Sequence, residues 1–72
     1  MDRTDRPDKL VMAEWRLARA ERNVGRQRDI ICGLERSGMK PTRSKELLIA
    51  LEKIQISRVA DLERLRKEIG DG

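Results

Sequence analysis

LVMAEWRLARAERNVGRQRDIICGL, from Leu10 to Leu34, is the stretch whose reading decides the fold. Within it Leu10, Ala13, Leu17, Ala20, Val24, Gln27, Ile31 and Leu34 recur at alternating steps of three and four. That is a heptad seam in which only Gln27 is polar. Such a seam runs along one side of a long amphipathic helix and needs a partner helix over its whole length.

Outward from this stretch, the sequence supplies the ends. Asp5 is the expected N-cap, Pro7 falls where a missing N–H costs nothing, and Asp8 suits the positive end of the helix dipole. Residues 1–5 are expected to form a frayed N-terminus. Downstream, Gly38 suits the left-handed residue that closes a helix, and Pro41 blocks a simple continuation. The first helix is therefore predicted over about residues 6–37, on the order of 45 Å long at ~1.5 Å per residue. A loop over 38–42 follows, with Thr42 as the next cap. The second helix is predicted over about 43–69, with Gly70 as its stop and residues 71–72 as a tail. So short a loop forces the helices antiparallel, and residues 6–70 read as a single domain.

The predicted core stripe of the second helix is Leu47, Leu51, Ile54, Arg58, Leu62, Leu65 and Ile69. It carries one extra step of four at Arg58, which interrupts the heptad. Folding about the loop is expected to pair Leu34 with Leu47, Gln27 with Ile54, Val24 with Arg58 and Leu17 with Leu65. Gln27 and Arg58 then form a polar layer that sets the register, with the Arg58 head reaching solvent. The alternative, a functional polar pocket, has no third group behind it. The fold class is all-α: two long antiparallel helices, a helical hairpin or antiparallel coiled coil.

Composition agrees. The chain has 72 residues, 42% charged and 38% apolar, with Trp15 as its one aromatic residue and no histidine. High charge joined to sustained helical periodicity marks long solvated helices rather than a thick globular core. A disordered chain would not keep the register. The net charge of +4 is unevenly spread. Arg16, Arg19, Arg22, Arg26 and Arg28 stand against the single acid Glu21, whereas charges balance beyond Leu47. One cysteine, Cys32, excludes an internal disulfide framework. The charged stretch Met1 to Lys9 lacks the apolar segment of a signal peptide, and no apolar run approaches the ~18 residues of a membrane span. A cytoplasmic, non-membrane protein is expected.

More apolar surface is present than one seam needs. Val11, Ala18, Gly25 and Cys32 repeat every seven residues beside the first seam, and Gly25 in mid-helix suits a close approach by another helix. On the second helix Ile49, Ile56, Val59 and Ala60 are predicted to face away from the hairpin seam, flanked by Glu52 and Glu63. These rows form the candidate self-association or partner face. A lone hairpin of this size is marginal, so a homodimer forming a four-helix bundle is the expected assembly, with the helices of a larger protein as another possible occupant. Cys32 reads as a small buried hydrophobe, or else as one half of a disulfide between two copies.

The candidate ligand face is basic: Trp15, Arg16, Arg19, Arg22 and Arg26. Arginines at these steps could hold a phosphate backbone. A charge of +4 and one tryptophan make nucleic acid the less favoured partner. Catalytic, metal and cofactor sites are not expected: there is no histidine, and Cys32 lacks a second thiol. Carboxylates are expected to pair locally, Glu63 with Lys67 and Arg64 with Glu68. The chain thus reads as a non-enzymatic protein–protein interaction or self-association module, with nucleic-acid binding through the basic face as the alternative.

The run AERNVGRQRDII, from Ala20 to Ile31, resembles a pattern in short helical-hairpin proteins of alphaproteobacteria, rhizobial relatives above all, which read G-E-R-H-V-A-R-Q-R-E-I-V and then L-E-x-x-G. Leu34-Glu35-Arg36-Ser37-Gly38 and the pair Leu47-Leu48 fall in the matching places, and the resemblance spans about Ala13 to Leu65. Asn23 and Met39 stand where those chains often have histidine. The group has no assigned activity, so the resemblance implies a hairpin of bacterial cytoplasmic origin and transfers no site.

Overall fold

The computed structural model describes residues 5–71, with side chains from Asp8 to Gly70. The expectations for residues 1–4 and 72 lie outside the described residues, and those for the Asp5 and Pro7 side chains outside the described side chains; Asp5, expected as the cap, is the first residue of α1, and Asp71, expected in the tail, belongs to α2. Two helices, α1 (Asp5–Arg36) and α2 (Thr42–Asp71), pack antiparallel into a rod of 54 × 17 × 14 Å. The hairpin is the expected architecture.

The turn is built as the sequence implied. Gly38 takes a positive φ of 77°, the one such residue among those described. The Met39 amide donates to the Leu34 carbonyl and the Gly38 amide to the Glu35 carbonyl, each at 3.0 Å. These crossed bonds satisfy carbonyls that the end of α1 would otherwise leave open. The Ser37 hydroxyl adds a bond to the Gly33 carbonyl at 3.1 Å. On the far side of the turn the Pro41 carbonyl accepts from Lys45 at 2.9 Å. Pro41 therefore holds the cap position and Thr42 is the first helical residue, one place earlier than expected. Gly70 does not stop α2, which continues to Asp71. A glycine ends a helix by turning left-handed, and Gly70 keeps a negative φ.

Three ion pairs between the helices follow the register: Glu14–Arg66 at 3.7 Å, Arg28–Glu52 at 3.1 Å and Glu35–Lys45 at 3.3 Å. Each pair is centred on Lys40. The seam of α1 is the expected one, with Ala13, Ala20, Val24, Gln27 and Ile31 buried and Leu10, Leu17 and Leu34 half-buried.

The seam of α2 differs from expectation. It runs Ser44, Leu48, Leu51, Gln55, Arg58, Leu62, Leu65 and Ile69, alternating steps of four and three without a break. Leu47 and Ile54, predicted in the seam, lie on its flank, 50% and 46% exposed. The reason is geometric. To stay against an unbroken heptad on α1, α2 must repeat every 3.5 residues, and a path through Leu47 and Ile54 would rotate away at its extra step of four. The hairpin keeps the rhythm and accepts Ser44 and Gln55 as seam residues. The pairing shifts accordingly: Leu65 lines a crevice with Ala13 rather than standing opposite Leu17.

Polar seam residues are provided for. Gln27, 7% exposed, donates its side-chain amide to the Ser44 carbonyl at 3.0 Å. That oxygen has a second lone pair beyond the one its helix uses. Arg58 is half-buried, and its head reaches out to Asp61 at 3.9 Å. Gln27 and Arg58 thus take separate partners, and among the described residues no third group joins them into a pocket.

Candidate interaction surfaces

The three inter-helix ion pairs use Glu14, Arg28 and Glu35 on α1 and Lys45, Glu52 and Arg66 on α2. Within each set the residues are multiples of seven apart, so all three pairs lie on one long side of the hairpin. Residues two positions further along each helix are about 200° around it. Those are Arg16 and Ile30 on α1 and Leu47, Ile54 and Glu68 on α2, and they lie on the opposite side. The hairpin therefore has an ionic side and a side where the helices make no ion pair with each other among the described residues.

On that second side Ile30, Leu47 and Ile54 are 44%, 50% and 46% exposed. Ile30 had not been singled out by the sequence pattern, because its neighbour Ile31 takes the seam position. Nearer the helix ends the same side is charged. Arg16 and Asp61 line one crevice, and Lys9 and Glu68 line another. Asp61 is held within α2 by Arg58 and Arg64 rather than by Arg16. Arg64 thus turns back to Asp61 at 3.1 Å instead of forward to Glu68 as expected.

The rows predicted as a partner face are placed differently. Val11, Ala18, Gly25 and Cys32 lie immediately beside the ion-paired row of α1, and Ile49 and Ile56 beside that of α2. Val59 stands in the ionic row itself. Ile56, 68% exposed, lines a shallow apolar shelf with Val59 and Ala60 between Glu52 and Glu63. Gly25 meets no approaching atom within the hairpin, and a Cβ built there has nothing within 4 Å. Cys32 is exposed, which corrects the buried reading. Its place in the heptad is one residue past the Ile31 contact, so the Ile31 side chain takes the interior.

Four of the five residues of the basic face come together, and Arg26 lies apart from them. Trp15, 68% exposed, lines a crevice on the back of α1 with Arg16, Arg19 and Arg22. None of these arginines, nor Arg26, takes part in an ion pair among the described residues. Their steps of three and four along one helix bring them to one surface, where each guanidinium keeps its full set of donors for an outside acceptor.

No helix among the described residues is long and apolar enough to cross a membrane. No protein-family model matches this chain, and neither a curated protein nor a solved structure matches it.

Proposed function

We propose that this chain is a non-enzymatic helical interaction module whose hairpin packs a long face against further helices, those of a second copy first, to complete a four-helix bundle. The observation that carries this reading is the balance of apolar side chains. The buried apolar set is Ala13, Ala20, Val24, Ile31 and Leu62, two of them alanines. Large apolar residues left outside include Val11, Met12, Ile30, Leu47, Ile49, Ile54 and Ile56. A small domain with so thin an interior gains stability by association, and exposed apolar residues offer surface for it. Sedimentation equilibrium over a wide concentration range tests the reading. A concentration-dependent dimer supports it; a monomer at every concentration that captures no partner helix overturns it.

The second reading is nucleic-acid binding through the Trp15 crevice, favoured by the unpaired arginines at Arg16, Arg19 and Arg22. Binding of a labelled structured RNA, followed by anisotropy, should weaken steeply with added salt and be lost in Arg19→Glu with Arg22→Glu. Binding that survives both changes removes this reading.

A further inference from the structure

The inference rests on the reading of the chain as a self-associating module and names the face and the direction of that association. We propose that the side bearing Ile30, Leu47 and Ile54 is covered by the same side of a second copy, with the two loops at the same end. Helix α1 of each chain then lies against α2 of the other.

The two long sides of the hairpin are not equivalent. The side with Glu14–Arg66, Arg28–Glu52 and Glu35–Lys45 is already matched charge for charge. Covering it would take three ion pairs out of water, and that desolvation opposes docking. The other side has half-exposed Ile30, Leu47 and Ile54 near the loop, with uncharged Asn23, Ala50 and Ser57 around them and Arg26 and Arg43, one turn before Ile30 and Leu47, at the edge. An apolar centre with charge kept to its periphery is the composition of an interface.

Charge sets the direction. Away from the loop this side carries Lys9 and Arg16 on α1 and Glu68 and Asp61 on α2, Asp61 keeping Arg58 and Arg64 beside it. Basic groups on one helix and acidic groups on the other cannot match within a face laid on a copy of the same helix. They do match when a two-fold axis runs along the rod, because α1 then meets the partner's α2. Heights agree as well. Arg16 and Asp61 share one crevice of the hairpin, and Lys9 and Glu68 share another, so each basic residue lies level with an acid. A two-fold along the rod preserves that level in the partner. An inverted packing would instead lay the charged end of each chain on the apolar loop end of the other. The interface is isologous and closes at two copies. Its extent is sufficient: a face of 54 × 17 Å is comparable with the ~800 Å² that each partner contributes to a standard interface.

The test compares two matched charge-introducing changes on opposite sides, Ile54→Glu and Ile56→Glu, by sedimentation equilibrium, with far-UV circular dichroism to verify helicity. Ile54→Glu should raise the dimer dissociation constant roughly tenfold or more, and Ile56→Glu should leave it unchanged. If Ile56→Glu dissociates the dimer and Ile54→Glu does not, the proposed face is wrong while self-association stands. If the unsubstituted chain never dimerises, both fall together. Direction is read by oxidation in a Cys32→Ser background. Ile30→Cys mixed with Leu47→Cys should form the mixed disulfide, whereas an inverted dimer would hold those two positions near opposite ends of the rod and form none.

Discussion

The side-chain amide of Gln27 crosses the hairpin to the backbone carbonyl of Ser44 at 3.0 Å, among the described residues the one hydrogen bond between a buried polar side chain and the opposite helix. It joins the polar member of the α1 seam to the first seam position of α2. Slipping either helix along the other would strand that amide in an apolar line, so the bond acts against alternative registers. Gln27→Ala should lower stability by about 1 kcal/mol in urea unfolding. Gln27→Leu should recover the loss through apolar burial while weakening the preference for one register. An unchanged midpoint in Gln27→Ala would mean that the bond contributes nothing.

The position of the α2 seam predicts a contrast between two leucines. Leu62 is 5% exposed and Leu47 is half-exposed. Leu62→Ala should cost about 2–5 kcal/mol, enough to unfold much of so small a hairpin. Leu47→Ala, measured at a concentration where the chain is monomeric, should cost well under half of that. Equal losses would return Leu47 to the seam.

Gly38 holds the turn with a φ of 77° in open space. Gly38→Ala meets no steric neighbour, so its whole effect is the left-handed backbone. The expected loss is about 1–2 kcal/mol, read from thermal unfolding. A neutral result would show that the turn relaxes to another geometry.

Gly25 makes the opposite prediction. It lies in mid-helix with nothing near its Cβ position. Gly25→Ala should stabilise α1 by roughly 0.5–1 kcal/mol and leave any dimer intact. Dissociation on this substitution would instead place another helix against that glycine.

The Arg28–Glu52 pair, 3.1 Å apart with side chains 62% and 38% exposed, is a surface interaction. A double-mutant cycle with Arg28→Ala and Glu52→Ala should give a coupling of about 0.2–1 kcal/mol that shrinks in 1 M salt, where the screening length is ~3 Å. A coupling insensitive to salt would indicate a drier site than this one.

By itself the sequence determined the hairpin. The repeat from Leu10 to Leu34 obliges a long helix with one narrow seam, and Gly38 with Pro41 leaves no route except a reversal. The basic row at Trp15, Arg19 and Arg22 was legible for the same reason, since periodicity along one helix places residues on one surface without reference to anything else. What the tertiary structure decided is which residues of α2 meet that seam. Leu47 and Leu48 are equally apolar, and at the next turn the seam takes polar Gln55 while apolar Ile54 stays outside, so hydrophobicity within α2 did not single out the phase that the hairpin adopts. The choice belongs to α1, whose unbroken heptad imposes its own period and draws Leu48, Gln55 and Leu62 inward. Leu47 and Ile54 are left outside, beside Ile30 on the side opposite the ion pairs. A single helix carries no information about how its partner is rotated, and that rotation separates interior from exposed face here.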